Sequence, residues 1–254
     1  MRGGGLDARR RPNGTCHTGA VPTELIFVRH GESNYNRDRR WQGQSQDALL
    51  SPLGWQQAAC VAEALASSGA AALFSSDLTR AIQTAVAIAQ ATGLPIVPDA
   101  RLREIDAGRW TDRPSEEVAR EEPERVDAWN HRPATTSPPN GEGVAAAQQR
   151  ILAFVAERIS AYDGQSVIVA THGAILQTLM AAASGVALED LWLATPAANG
   201  AIVRVQWAAA ANGPGPLGGG RLRLLGPPSV DHLARLGAAG LTLGSAGGPG
   251  PGPV

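Results

Sequence analysis

The chain alternates between short runs of consecutive apolar residues and longer stretches in which apolar residues recur at helical spacing. Continuous apolar runs of four to seven residues are typical of buried strands. LIFV at 25–28 and VIVA at 167–170 are the clearest of them. Weaker candidates for strands lie at 72–76, 95–98, 201–207 and 221–225.

Residues that favour helix ends bracket the first two helical patterns. Ser51 followed by Pro52 predicts an N-cap and a first helical position, and Gly69 predicts where this helix stops. Asp77 is expected to cap the second helix, which ends at Gly93.

Two further helices are predicted later in the chain. One runs from Val144 to Tyr162, with apolar residues every fourth position, and the other follows Gly173. Strands that alternate with helices of this length are joined by right-handed crossovers in a parallel sheet. The pattern therefore predicts an α/β fold: three α/β/α layers around a doubly wound, mainly parallel sheet.

Length and composition set the limits of the folded part. The 254 residues, 43% of them apolar, suit one α/β domain or two small ones. Residues 1–22 and 238–254 are rich in glycine and proline and poor in apolar side chains, so both are expected to be disordered. The domain is accordingly predicted to span 23–237.

Charge excludes several classes of function. The chain has 22 basic and 23 acidic residues, and all 22 basic residues are arginine. This balance gives no global attraction to nucleic acid or to a membrane surface. No apolar run is long enough to span a bilayer, and the start lacks the apolar core of a secretory signal, so a cytoplasmic location is expected. Codon bias explains the arginine usage, so arginine alone signals nothing here.

Two predicted strands end in the same way, each followed by a histidine and a glycine. His30 and Gly31 follow the first strand, and His172 and Gly173 follow VIVA. Ligands bind beyond the carboxyl ends of strands in a doubly wound sheet, so both histidines are expected at one small-molecule site. A structural role is the ordinary explanation for a lone histidine, but a matched pair favours function. Neither has carboxylates or cysteines at metal-ligand spacing, so no metal is expected.

Donor-rich side chains accompany the histidines. Arg29 precedes His30 and should lower the pKa of its imidazole, which keeps the ring neutral and nucleophilic. Asn36 supplies an amide, and Arg80 lies in the first turn of a helix that follows a strand. Two arginines, an asparagine and a second histidine suit a dianionic phosphoryl group.

A carboxylate for general acid catalysis is expected in the stretch LREIDAGRW at 102–110. Glu104 and Asp106 are both candidates, and their spacing does not distinguish them. A solvated surface position is the ordinary explanation for either residue.

Five ordered motifs give the chain a resemblance to a known family. They are VRHGESNYN, WQGQSQDALLSPLGWQQA, SSDLTRAIQTA, LREIDAGRW and ATHG, and they extend over about residues 24–207. Together they resemble the histidine phosphatase superfamily, in the branch of phosphoglycerate mutase-like phosphatases. The resemblance implies a phosphoglycerate mutase-like fold and a phosphomonoester substrate. It also makes a homodimer a candidate assembly, since dimers are common in the family.

The resemblance also implies roles for particular residues. His30 would be the nucleophile that becomes phosphohistidine, and Glu104 the proton donor, with no metal or cofactor required. The phosphoryl group would be held by Arg29, Asn36, Arg80, His172 and Gly173. Glu142 resembles an element common among the phosphatases, and its role is left open.

The alternatives are a phosphoglycerate mutase and a phosphoryl-binding module without turnover. Mutases that resemble this chain carry lysines and an insertion after the acid motif, whereas this chain has a short, acidic, lysine-free segment there. Arginines that could substitute for those lysines lie at 113, 120, 125 and 132. Asp112 stands where a glycine is usual, which puts the local turn in doubt. Trp129 and His131, in the predicted lid between 110 and 139, are hypothetical substrate contacts.

Overall fold

The computed structural model describes residues 21–208, 217, 219–237 and 240, and its centre is a six-stranded sheet. The strands are β1 Thr23–Arg29, β2 Ala72–Ser75, β3 Ile96–Pro98, β4 Ser166–Thr171, β5 Ile202–Ala208 and β6 Arg221–Leu224. Their order across the sheet is β3-β2-β4-β1-β5-β6. The first four of these strands pair in parallel, whereas β5 and β6 pair antiparallel. The predicted mainly parallel sheet is confirmed.

Helices cover both faces of the sheet. They are α1 Asn34–Arg37, α2 Pro52–Leu65, α3 Thr79–Thr92, α4 Ser115–Glu121, α5 Pro123–His131, α6 Val144–Arg158 and α7 Gly173–Ser184. Alternate residues of β1 point to opposite faces. Ile26 and Val28 pack with α2 and α3, whereas Leu25 and Phe27 belong to the larger core with α6 and α7. The three α/β/α layers follow from this alternation.

Several predicted helix ends are confirmed, although α2 ends at Leu65 and not at Gly69. The Ser51 hydroxyl accepts a hydrogen bond from the Gly54 N–H at 3.0 Å, and Pro52 is the first residue of α2. Gly93 closes α3 in the left-handed conformation, with φ of 74°. The last α-helical residue of α6 is Arg158, and the chain then continues to Tyr162 as a 3₁₀ turn.

The prediction that Asp77 caps α3 is wrong. The N-cap of α3 is Leu78, which makes no side-chain capping bond. The carboxylate of Asp77 instead accepts a hydrogen bond from Arg103 Nε at 2.7 Å. This hydrogen bond holds the pKa of Asp77 below its ordinary value. Asp77 therefore pairs with an arginine 26 residues away in sequence and not with the N-terminus of α3.

Asp112 keeps the backbone conformation that a glycine would adopt. Its φ is 69°, in the left-handed region, where aspartate is better tolerated than most side chains. The Asp112 N–H donates to the Trp41 carbonyl at 2.9 Å, and Arg40 donates to the Asp112 carbonyl at 2.8 Å. The turn therefore persists without glycine.

The segments predicted to be disordered, 1–22 and 238–254, lie outside the described residues except for 21, 22 and 240. Gly240 accepts a hydrogen bond from Gln57 Nε2 at 2.8 Å. No helix in the described part of the chain is both long and apolar enough to cross a membrane.

Candidate active site

Parallel pairing of β1 with β4 brings the two histidines together. Arg29 pairs with Thr171 in the strand register, so the next residue of each strand is a histidine. The two imidazole centroids are 5.1 Å apart, and both rings are almost fully buried. His30 and His172, remote in sequence, therefore form one site at the carboxyl edge of the sheet, as predicted.

The turn after His30 is shaped by close packing of two glycines. A Cβ atom at Gly31 would overlap the carbonyl of Gly54, and one at Gly54 would overlap the carbonyl of Glu32. Backbone therefore meets backbone where α2 crosses the end of β1. This contact fixes the direction in which the chain leaves His30.

His30 has the protonation state of a nucleophile. Its Nδ1 lies 2.7 Å from the Gly31 carbonyl, which can only accept, so Nδ1 carries the proton. Arg80 Nε donates to Nε2 at 3.3 Å, so Nε2 holds the lone pair. Burial lowers the pKa of His30 well below its ordinary value, and the charges of Arg80 and Arg29 lower it further. Arg29 therefore acts as the sequence predicts, but burial has the larger effect.

Two buried guanidinium groups flank His30. Arg80 donates to the carbonyls of Gly43 at 2.9 Å and Ser45 at 3.2 Å, and Arg29 donates to that of Ala197 at 2.6 Å. Burial lowers the pKa of each arginine to about 10, so both remain charged at neutral pH. Two fixed positive charges in a water-poor site favour an anion strongly.

Asn36 presents an amide N–H to the same region. Its Oδ1 accepts from the backbone N–H of Ser33 at 3.1 Å and from Asn199 Nδ2 at 3.2 Å. These two donors fix the orientation of the amide. Its buried Nδ2 has no hydrogen-bond partner within the described residues, so it is available to an acceptor.

His172 is oriented by a serine. Its Nε2 lies 2.8 Å from the Ser76 hydroxyl, which also accepts a hydrogen bond from the Leu78 N–H at 3.3 Å. Burial lowers the pKa of His172 well below its ordinary value, and the charge of Arg80 adds to this, so the ring is neutral. The buried Nδ1 has no hydrogen-bond partner within the described residues.

The geometry separates the two candidate acids. Glu104 and Arg29 line the same cavity, and the Glu104 carboxylate accepts hydrogen bonds from the N–H groups of Ile105 at 3.0 Å and Ala174 at 3.2 Å. Asp106 instead accepts from the Gly108 N–H at 2.8 Å and thereby shapes the following turn. Its side chain is committed to the loop.

Gly173 is the first residue of α7, and His172 is its N-cap. The first N–H groups of a helix have no acceptor within that helix, and the helix dipole favours negative charge there. Glu104 already occupies one of these positions through Ala174. The N–H of Gly173 is suitably placed at the same end of the helix to bind an anion.

The charges suit an anion better than a metal ion. The site contains two buried guanidinium groups, which are positively charged, and two buried imidazoles. Among the described residues, no group of three or more histidine, cysteine, aspartate or glutamate side chains is placed to hold a metal ion.

A cavity lined by aromatic and apolar residues adjoins Glu104. Its walls are Arg29, Trp41, Gln42, Gly43, Glu104, Ile105, Ala107, Trp129, Pro138 and Ala174. Trp41 and Trp129 pack edge to face, with ring centroids 6.5 Å apart. Trp129 on α5 thus borders the cavity, whereas His131 is exposed and pairs with Asp127 on the same helix.

Comparison with known families agrees with this geometry. The sequence model of the histidine phosphatase superfamily (branch 1) matches residues 25–212. That range includes both strand-end histidines, both buried arginines and Glu104. The chain belongs to the histidine phosphatase superfamily.

The relatives of this histidine phosphatase include proteins named as phosphatases and proteins named as probable mutases. Phosphoserine phosphatase 1 of Hydrogenobacter thermophilus is 34% identical over 169 residues, which is 66% of this chain and 80% of the relative. "Probable phosphoglycerate mutase GpmB" of Salmonella arizonae is 35% identical over 166 residues, 64% of this chain and 75% of the relative.

Solved structures show the same fold. Mycobacterial glucosyl-3-phosphoglycerate phosphatase in complex with VO3 has a TM-score of 0.69 and 30% identity, and the match covers 79% of this chain and 96% of that one. Family, relatives and fold together make this chain a phosphoglycerate mutase-like phosphatase.

Several residues of this histidine phosphatase site were not predicted from the sequence. They are Ser76, Asn199, Gln44 and Arg150. Each binds a catalytic candidate or its backbone across a long sequence separation. Ser76 does lie within the SSDLTR motif, so its position next to the Arg80 helix was a usable signal. Gln44 likewise lies within the motif that begins WQGQSQ. Asn199 and Arg150 carry no local signal, because the site residues that they bind lie in distant segments.

Proposed function

We propose that this histidine phosphatase hydrolyses a small phosphomonoester through a phosphohistidine at His30. The observation that carries the proposal is the state of the His30 ring. It is neutral, its lone pair is on Nε2, and Nε2 faces Arg80 in a pocket with two buried guanidinium groups. This arrangement suits attack on phosphorus.

In the first step, His30 Nε2 attacks phosphorus in line with the ester oxygen. The P–N bond forms, the P–O bond breaks, and Glu104 gives its proton to the departing alkoxide. Arg29, Arg80 and His172 stabilise the negative charge on the phosphoryl oxygens. Their contribution is positioning and electrostatic, as is usual for phosphoryl transfer.

In the second step, water attacks the phosphohistidine. Glu104 is now a carboxylate and takes a proton from the water as the P–O bond forms and the P–N bond breaks. Inorganic phosphate leaves, and His30 returns to its neutral state. Asn36 Nδ2 and the N–H of Gly173 assist by donating to the phosphoryl oxygens throughout. The cycle uses no metal or cofactor.

The lid favours hydrolysis over the mutase reaction. A mutase must hold its substrate with additional cations, and here arginines would have to replace the missing lysines. Arg113 is ion-paired with Glu117 at 2.7 Å and also with Glu121, and Arg125 lies 3.6 Å from Glu122. Acidic neighbours on the lid thus already balance these arginines.

The leaving group is proposed to occupy the tryptophan-lined cavity next to Glu104. Among the cavity-lining residues in the described part of the chain, Arg29 is the one cation, and it is assigned to the phosphoryl group. A second anionic group on the substrate would be buried there without a counter-charge, which is costly. An uncharged leaving group, polar or apolar, fits better.

Replacing the nucleophile is the direct test. We expect His30→Gln and His30→Ala to reduce phosphate release from an artificial phosphomonoester by more than about 10⁴-fold, since covalent transfer is then impossible. Both variants should remain folded by circular dichroism. Wild-type enzyme quenched with an alkaline denaturant should contain base-stable, acid-labile phosphate on His30. Turnover near the wild-type rate in either variant would overturn the assignment.

Two further assays separate the alternatives. Hydrolysis of an artificial phosphomonoester distinguishes an enzyme from a phosphoryl-binding module without turnover. With 3-phosphoglycerate, release of inorganic phosphate indicates a phosphatase and isomerisation indicates a mutase. A cytoplasmic location and a homodimeric assembly remain predictions from the sequence.

A further inference from the structure

Glu104 lies on a segment that has little regular structure of its own. Residues 103–107, between a short 3₁₀ turn and the next, form no helix or strand. A general acid must be held within hydrogen-bond reach of the leaving oxygen, so something outside this segment has to fix it. The contacts made by Arg150 and Glu142 identify what does so.

Arg150, on α6, binds this segment with its whole guanidinium group. Nη1 donates to the carbonyls of Arg101 at 2.7 Å and Arg103 at 2.5 Å, and Nη2 donates to the carbonyl of Glu104 at 3.0 Å. The remaining two N–H groups bind Glu142, from Nε at 2.8 Å and from Nη2 at 2.8 Å. All five donors of an arginine are therefore used.

Glu142 is the second half of the arrangement. Its carboxylate holds the Arg150 fork in place, and its own N–H donates to the Asp106 carbonyl at 2.9 Å. Both side chains are 18% exposed, so the pair is well shielded from solvent. The backbone on both sides of Glu104 is thus held from the α6 side, and Gln44 Nε2 binds the Glu104 carbonyl at 3.2 Å.

We infer that the Glu142–Arg150 pair is a positioning device that sets where the Glu104 carboxyl group lies relative to the leaving oxygen. This inference rests on the proposed function, in which Glu104 is the general acid. Neither residue lines the cavity, and their hydrogen bonds to the Glu104 segment go to its backbone. The charge of Arg150 also helps to lower the pKa of His172, an effect that acts on both substrates of the test below and cancels in their ratio. The planar five-donor fork explains why arginine is needed, since lysine has three donors and no fork.

Leaving groups of different basicity reveal a misplaced acid. An alkyl phosphomonoester such as glycerol 3-phosphate releases a strongly basic alkoxide that needs the proton of Glu104. p-Nitrophenyl phosphate releases a weakly basic phenolate that needs it much less. The ratio of kcat/KM for the alkyl substrate to that for the aryl substrate therefore measures how well the acid works, and it is independent of the fraction of enzyme that is active.

The experiment compares this ratio in four kinds of variant. Glu104→Gln is the reference for complete loss of the acid, and we expect the ratio to fall by about 100-fold or more. Arg150→Met and Glu142→Gln should lower it by about tenfold. Arg150→Lys retains the charge and some donors, so its ratio should be intermediate. Glu157→Gln is the matched control, because it removes an ion pair from the same helix to Arg101, at 2.7 Å, and should leave the ratio unchanged.

Each outcome decides one question. If Glu104→Gln lowers the ratio but Arg150→Met and Glu142→Gln do not, the pair is structural only and the inference is wrong. If Glu104→Gln leaves the ratio unchanged, the general-acid part of the proposed function fails. A fall in all three variants, with Glu157→Gln unchanged, supports the inference.

Discussion

At the scale of single residues, the site depends on which nitrogen of each imidazole carries the proton. His30 is fixed by the Gly31 carbonyl. For His172 the deciding contact is Ser76. The Ser76 oxygen accepts from the Leu78 N–H, and we infer that its hydroxyl hydrogen is donated to His172 Nε2. The ring proton then lies on Nδ1, the nitrogen without a partner in the described chain, where it can donate to a phosphoryl oxygen.

Ser76→Ala tests this assignment. Without the hydroxyl, the neutral His172 ring is free to adopt the other tautomer or to rotate. We expect kcat/KM for p-nitrophenyl phosphate to fall by about tenfold, which corresponds to about 1.4 kcal/mol, the usual size of a lost hydrogen bond.

Ser75→Ala is the control for that change. The neighbouring Ser75 hydroxyl is equally buried but donates to the Ser76 carbonyl at 2.8 Å, not to a histidine. The kcat/KM of Ser75→Ala for p-nitrophenyl phosphate should stay within about twofold of the wild-type value. Equal losses in the two serine variants would mean that Ser76 affects packing and not the His172 tautomer.

At the scale of elements, strands place the phosphoryl site and a lid places the leaving group. The ends of β1 and β4 position His30 and His172, and the start of α3 positions Arg80. Helix α5 contributes Trp129 to the wall of the adjoining cavity. In the proposed function, the sheet therefore positions the reacting groups, whereas α5 contributes to the site of the leaving group.

A matched pair of substrates tests the cavity. Glycerol 3-phosphate has a hydroxymethyl group at the position where 3-phosphoglycerate has a carboxylate. We expect kcat/KM for phosphate release to be at least about tenfold higher for glycerol 3-phosphate, because the second anion would be buried among tryptophans. The same comparison at raised salt checks whether surface charge contributes. Equal or faster hydrolysis of 3-phosphoglycerate would contradict the proposed leaving-group site.

At the scale of the whole molecule, the fold carries neutral histidines at its centre. Burial is the largest cause of the low pKa of both His30 and His172. An unfolded chain binds a proton at each near pH 6.5, whereas the folded chain does so only at lower pH. Over that interval the unfolded state binds more protons, so acid favours unfolding.

The free energy of unfolding should therefore fall as the pH is lowered below about 6.5, by up to about 1.4 kcal/mol per pH unit for each of the two histidines. Urea denaturation at several pH values between about 5 and 7 measures this slope. His172→Gln should lower the slope by up to about 1.4 kcal/mol per pH unit, which corresponds to one proton. Identical slopes in the wild type and His172→Gln would show that His172 is not held neutral.

The sequence by itself determined the α/β architecture, most helix ends, and the placement of His30 and His172 at one edge of the sheet. Hydrophobic periodicity and capping are local, and a histidine that follows a strand must lie at the edge of the sheet whatever the strand order. The tertiary structure decided how these residues are held. It pairs Asp77 with Arg103 instead of a helix end, sets the imidazole protons through Gly31 and Ser76, and fixes Glu104 from α6. Apart from Gly31, which adjoins His30, these partners lie far away in sequence, and only chain folding brings them within hydrogen-bond distance.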